Sequence, residues 1–218
     1  MTRLVLLTVV LLGATLTPAT GQAQNLRWVY QYDGPGHGTD EAWPMVLGSD
    51  GNLYAAGWSI GSGTGFDITI VSVSLDGSER WAYRYNGPGN RDDEAHGVVF
   101  GSDGNVYAAG SSVGNGTSSD FTVISLDTAG HERWVYRYNG PANGSDEARS
   151  IDFGVDGNVY AAGWSSGAGT SDDFTVISLN TSGHERWVYR YNGPGNGSDR
   201  AYARRMACGT DGNVYAAG

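Results

Sequence analysis

The chain has no lysine; all 13 of its basic residues are arginine, set against 23 acidic residues for a formal net charge of −10. Phosphate backbones are held by clustered positive charge, so this balance argues against nucleic acid as a partner. There is one cysteine in 218 residues, and no internal disulfide framework can form from it. After the N-terminal stretch no segment is apolar for the roughly 18 residues that a membrane-spanning helix needs. Apolar residues at helical period are missing too, so helix is not expected.

What is present begins with a leader. Arg3 precedes an apolar run, Leu4–Leu16, and Gly21-Gln22-Ala23 offers a small-x-small cleavage site. Residues 1–23 therefore read as a signal peptide and 24–218 as the mature chain, secreted, extracellular or at the cell surface, with the periplasm as an alternative.

Glycine is abundant, 35 of 218 residues, and its placement exposes an internal repeat. The phrase RWxYxYxGP starts at Arg27, Arg80, Arg133 and Arg186, each start 53 residues after the last. Each unit holds four strand-like runs rich in Val, Ile, Thr, Tyr and Trp and bounded by Gly, Asn, Asp and Ser. In the third unit they are Ala148–Phe153, Asn158–Trp164, Phe174–Leu179 and Glu185–Tyr191. The expected fold is all-β: β-propeller blades of four antiparallel strands in an incomplete ring. Three full blades fall near 41–85, 94–138 and 147–191, with a lone fourth-type strand at Arg27–Tyr32 and part of a fourth blade at the end. That interruption suggests truncation at the C-terminus; self-association is the other way to cover the last blade face.

Turn chemistry distinguishes the two ends of the blades. First-to-second connections are tight Asp-Gly turns, and third-to-fourth ones are short, with Asp76-Gly77 read as the shortest. The other connections, 139–146 and 165–173 in the third unit, are long and Gly-rich. In a meander the long loops share one end, which becomes the candidate binding face. In the fourth run Trp134, Tyr136 and Tyr138 point one way, and blade-to-blade packing is the expected use of that stripe.

Several motifs lose their meaning through recurrence. Three G-x-S-x-G matches, around Ser59, Ser112 and Ser165, precede no helix and appear once per blade, so they are not nucleophile elbows. Asp40, Asp93 and Asp146 recur at one loop position, and Asp67, Asp120 and Asp173 at another. Such carboxylates can hold calcium or accept backbone amides that shape the loops. Loop shaping is expected, because no dense acidic ladder is present. The four histidines show no ligand spacing, and His131 and His184 fall in equivalent tight turns. Cys208 aligns with Phe153, Phe100 and Leu47, an apolar strand position expected to be buried. The alignment of Ala203–Asp211 with Ala148–Asp156 gives the last unit two extra residues before this strand.

Positions that differ between units are the better clues to specificity. Trp43, His96, Arg149 and Arg204 share one slot; Trp58, Ser111 and Trp164 share another. Trp43, Trp58, His96, Arg149, Trp164 and Arg204 are the candidate ligand-binding residues, for a carbohydrate or protein ligand. Packing of the loops is the competing and preferred role for them.

The unit resembles the SBBP-type β-propeller repeat of exported bacterial and archaeal proteins. The resemblance rests on RYNGPANGSDEA at Arg137–Ala148, DGNVYAAGWSS at Asp156–Ser166 and DDFTVISLNTSGHERW at Asp172–Trp187. It covers nearly all of the mature chain and implies an extracellular propeller. The Gly-Pro of the first loop and the Asp76-Gly77 turn depart from it. The phrase LDTAGHERWVYRY at Leu126–Tyr138 is also similar to quinoprotein propeller repeats, but only over the third and fourth strands. The expected function is a non-enzymatic binding scaffold; a piece of a propeller enzyme, quinoprotein or lyase, is the alternative.

Overall fold

The computed structural model describes residues 27–201 and 206–218, so the signal-peptide reading lies outside the described residues. Among them there is no helix, and none long and apolar enough to cross a membrane. The first blade is β1 (Asp40–Leu47), β2 (Leu53–Ile60), β3 (Phe66–Val73) and β4 (Glu79–Tyr85), paired antiparallel in chain order. The second is β5 (Asp93–Phe100), β6 (Val106–Val113), β7 (Ser119–Leu126) and β8 (Glu132–Tyr138). The third is β9 (Asp146–Phe153), β10 (Val159–Ser166), β11 (Asp172–Leu179) and β12 (Glu185–Tyr191). A two-stranded sheet, β13 (Met206–Cys208) with β14 (Val214–Ala216), follows. The protein is thus an all-β chain of propeller blades in an incomplete ring, and each full blade begins one residue before the expected limit.

The tight turns follow from their residues. Gly51, Gly104 and Gly157 hold φ of +80°, +80° and +75°, a region that L side chains rarely enter. The aspartate before each glycine accepts the amide of the following asparagine and the hydroxyl of Tyr54, Tyr107 or Tyr160 at 2.6–2.7 Å. The third-to-fourth turn of the first blade is not shorter than the others, contrary to the sequence reading. Ser74 N donates to Ser78 O at 2.9 Å just as Asp127 N donates to His131 O at 3.0 Å. Gly77 matches Gly130, and the aspartate of the first turn, Asp76, stands at the position of Ala129.

The second and third strands of each blade are buried on both faces, hence their near-continuous apolar runs. Tyr54, Ile68 and Ile70 of the first blade join Ala95, Val106 and Ile124 of the second in one core cluster. Tyr107, Phe121 and Val123 of the second join Val159, Ile177 and Leu179 of the third in the next. The core therefore lies between blades.

The fourth-strand stripe fastens each blade to its successor. Trp81 Nε1 donates to Thr128 O and Trp134 Nε1 to Thr181 O, both at 3.0 Å. Tyr83 and Tyr136 donate to Glu132 and Glu185 at 2.5 and 2.6 Å. The Arg27–Tyr32 segment makes the same contacts on the first blade, Trp28 Nε1 to Leu75 O at 2.9 Å and Tyr30 to Glu79. It is not the strand expected there, because it is anchored by side chains and enters no ladder.

Candidate functional site

The slot that differs between blades is a β-bulge on each innermost strand. In the second blade Ala95 pairs with Gly110 and Gly97 with Ala109, leaving His96 outside the ladder. In the third, Ala148 pairs with Gly163 and Ser150 with Ala162, leaving Arg149 outside. In the first, the register shifts between Ala42 and Met45, so Trp43 and Pro44 face Ala56 alone. A bulge bends its strand and re-aims one side chain. It also pushes backbone toward the second strand. A Cβ added at Gly57, Gly110 or Gly163 would lie 1.8–1.9 Å from the carbonyl oxygen of Glu41, Glu94 or Glu147. The glycine of the repeated YAAG phrase is there to let the bulge form.

Next to the bulge, toward the long-loop end, Glu41, Glu94 and Glu147 pair across the ladder with Trp58, Ser111 and Trp164. The two variable slots are therefore neighbours. Their side chains form one band running across the blades. The Trp43 and Trp58 rings meet edge to face with centroids 5.2 Å apart, and Trp43 is tilted against His96 at 6.2 Å. His96 Nε2 lies 2.7 Å from Glu147 Oε1 and 3.7 Å from Glu94 Oε2. Arg149 reaches the same Glu147 oxygen at 2.7 Å. Its guanidinium sits 4.9 Å from the Trp164 ring, which Arg200 also approaches, at 4.8 Å. Arg200 Nε is held by Asp172 at 2.8 Å.

The structure thus brings together Trp43, Trp58, His96, Arg149 and Trp164; Arg204 lies outside the described residues. Trp58, Trp164 and His96 take the packing role preferred for the group, and Trp43 does not. Trp58 and Trp164 are only 8% and 5% exposed, and His96 6%, whereas Trp43 is 56% exposed. Trp58 and Trp164 pack, and Trp43 is the aromatic presented to solvent. Sequence reasoning missed the bulge and Arg200. Arg200 replaces the Glu41, Glu94 and Glu147 of the other units, a break visible on comparing the repeats. Ala201, not Ala203, takes the core place of Ala148: it is buried against Ala162 and Val176, as Ala148 is among Ala109 and Val123.

The recurring acids serve other groups. Asp93 accepts Gly87 N at 2.6 Å and Val113 N at 3.0 Å; Asp146 accepts Gly140 N at 2.6 Å and Ser166 N at 2.9 Å. Asp40 takes Gly34 N at 3.2 Å. Burial pushes all three carboxyls up, that of Asp146 to about 6. Asp67, Asp120 and Asp173 pair with Arg84, Arg137 and Arg190 at 2.6–2.7 Å. Among the described residues no three acidic, histidine or cysteine side chains converge as a metal-ligating group, and the contacts of these six aspartates are those of the loop-shaping role expected for them rather than of the calcium alternative.

The serines of the G-x-S-x-G matches are fully buried. Ser59 lies 2.6 Å from Thr69 Oγ1 and receives Arg84; Ser112 receives Arg137. A guanidinium donates protons and cannot act as the general base that a nucleophilic serine needs. His131 is an exposed turn residue 3.0 Å from Asp127. Cys208 pairs with Val214 as Phe153 pairs with Val159, which bears out the alignment at Cys208 though not at Ala203, but it is half-buried rather than buried. Burial and Asp152 push its thiol up to about 12.

The geometry defines a propeller-type repeat protein with a constant frame and one variable bulge residue per blade. No protein-family model matches the chain, and no curated protein matches it.

Proposed function

We propose that this chain is a secreted or cell-surface propeller scaffold of the SBBP-repeat type that binds a protein or glycan without catalysing a reaction. The binding surface is the long-loop end of the innermost strands, centred on Trp43. One observation carries this reading: near-identical blades keep the bulge and its glycine, yet fill the bulge with Trp43, His96 and Arg149 in turn. The flanking glutamate and the glycine opposite are the same in all three blades, so the backbone of the bulge does not by itself call for a different residue each time. A different side chain in each blade suits an irregular ligand held on a regular frame. The signal-peptide reading of residues 1–23 supports the same proposal, because an exported scaffold meets macromolecules outside the cell.

The test is a screen of the purified chain against glycan and peptide arrays. A hit lost on Trp43→Ala, with the thermal unfolding curve unchanged, supports the reading. Binding indifferent to Trp43→Ala, or quinone-dependent dye reduction by the protein, overturns it.

A further inference from the structure

We propose that Asn115-Gly116, at the tip of the loop between β6 and β7, is a self-modifying site, where the Gly116 backbone amide attacks the Asn115 carboxamide and the asparagine becomes aspartate or isoaspartate. The reaction consumes only water, so it stands apart from the binding reading.

The chain has six Asn-Gly pairs, starting at Asn86, Asn115, Asn139, Asn143, Asn192 and Asn196. By local sequence all six are disposed to this reaction, because a glycine has no side chain to shield the attacking nitrogen. The fold separates them. At Asn86, Asn139 and Asn192 that nitrogen is engaged. Gly87 N, Gly140 N and Gly193 N donate to the carboxylates of Asp93, Asp146 and Asp199, each at 2.6 Å, and all three glycines are buried. At Asn143 and Asn196 the carboxamide is engaged instead. Asn139 Nδ2 donates to Asn143 Oδ1 at 2.7 Å and Asn192 Nδ2 to Asn196 Oδ1 at 2.8 Å, which ties each side chain back to the residue four positions earlier.

Asn115 carries neither restraint. Among the described residues its carboxamide has no hydrogen-bond partner, and the Gly116 N–H donates to no acceptor. Both residues are exposed. A Cβ built on Gly116 would have nothing within 4 Å, so there is room for a five-membered ring. The loop is closed below them by Gly114 N, which donates to Ser118 O at 3.0 Å. The turn itself does not call for asparagine. Ser62 and Ala168 hold that place in the other blades, followed by Gly63 and Gly169 at φ of +85° and +86°, against +85° for Gly116.

In the first step the Gly116 amide gives its proton to solvent base and its nitrogen bonds to Asn115 Cγ. The Cγ–Nδ2 bond breaks and ammonia leaves, giving a succinimide. Water then adds to one of the two ring carbonyls. Opening at Cγ yields aspartate; opening at the main-chain carbonyl yields isoaspartate, with the chain running through Cγ. No oxidant or reductant takes part. Each conversion adds one carboxylate to the long-loop end of a chain already at net −10, so the field at that end grows more negative as the protein ages.

The experiment holds the purified full chain at pH 8, folded and in urea, and maps timed samples by mass spectrometry with isoaspartate and aspartate peptides separated. In the folded chain conversion is expected first at Asn115. It should be at least about tenfold slower at Asn86, Asn139 and Asn192, where a charge-assisted hydrogen bond must be given up before attack. In urea the spread among the six sites should collapse. Asn115→Ser, which installs the first blade's residue, should remove the main acidic species seen on ion exchange and leave the melting temperature unchanged. A faster site among the other five, or equal rates at all six in the folded chain, overturns the proposal. So does the same order and spread in urea, because local sequence and not the fold would then set the rates.

Discussion

Trp81 of β4 lies across Gly130 in a turn of the following blade, and a Cβ built on that glycine would sit 2.6 Å from the indole ring. The same contact recurs between Trp134 and Gly183 and between Trp28 and Gly77. A flat ring against a bare backbone is how this repeat joins one blade to the next. Gly130 also holds φ of +87°, so it meets two demands at once. Gly130→Ala should cost about 3 kcal/mol or more, strain and overpacking together. Gly104→Ala supplies the control, since its φ is +80° but nothing lies within 4 Å of the new Cβ; about 1 kcal/mol is expected there. Urea unfolding of the two variants measures the difference, and equal losses would show that the ring contact is unimportant.

Gly110→Ala should be worse than either. The added Cβ would meet the Glu94 carbonyl oxygen at 1.8 Å, and backbone cannot step aside as a side chain can. The bulge at His96 must open or the blade must part. The expected outcome is loss of cooperative thermal unfolding or a failure to fold, seen by circular dichroism. A variant as stable as the parent would mean that the bulge is not needed.

The two tryptophans of the first blade should separate packing from presentation. Trp58 is buried and Trp43 is exposed. Trp58→Ala is expected to cost about 3–5 kcal/mol as a large core truncation, and Trp43→Ala less than about 1 kcal/mol. Denaturant midpoints of the two proteins check this, and a reversed order would relocate the candidate surface.

Asp146 makes stability depend on pH in an uncommon direction for a carboxylate. Burial holds it at about 6 in the folded chain, against the hydrogen bonds from Gly140 and Ser166 that favour the ionised form. In the unfolded chain it titrates near the ordinary value of about 3.9. The folded state thus binds the proton more tightly. Its stabilising contribution is full below about pH 4 and is lost as pH rises through about 6. Asp146→Asn should flatten that part of the profile of melting temperature against pH. A carboxyl carbon resonance of Asp146 with its midpoint near 4 would contradict it.

Cys208 should be a poor nucleophile. With its thiol at about 12, little thiolate exists at pH 8. Alkylation of the folded protein by iodoacetamide is expected to be slower than that of the urea-unfolded chain by on the order of 100-fold. Mass spectrometry of timed samples gives both rates, and comparable rates would place the thiol in water.

The strands were largely legible in the sequence, because short β-branched and aromatic runs between Asp-Gly and Asn-Gly turns carry their own signal. The third unit's fourth run, Glu185–Tyr191, is the observed β12 without adjustment. The candidate residues Trp43, His96 and Arg149 were found by comparing copies within the chain, which marks variable positions without saying why they vary. Burial was not legible: Trp43 and Trp58 are the same residue type in similar company, yet one is presented and the other packed. Arg27–Tyr32 reads as a strand like its three copies, but without a third strand beside it there is no ladder to join.

By itself, then, the sequence determined the repeat, the strands, the turn types and the end of the blades where long loops gather, since each of these depends on residues close together in the chain. The tertiary structure decided the rest. Whether a residue leaves the ladder, as His96 does, depends on the glycine of a neighbouring strand. Whether Glu94 finds a partner depends on Glu147, 53 residues further on in the adjoining blade. Such pairings are set by how blades pack, and local pattern does not encode them.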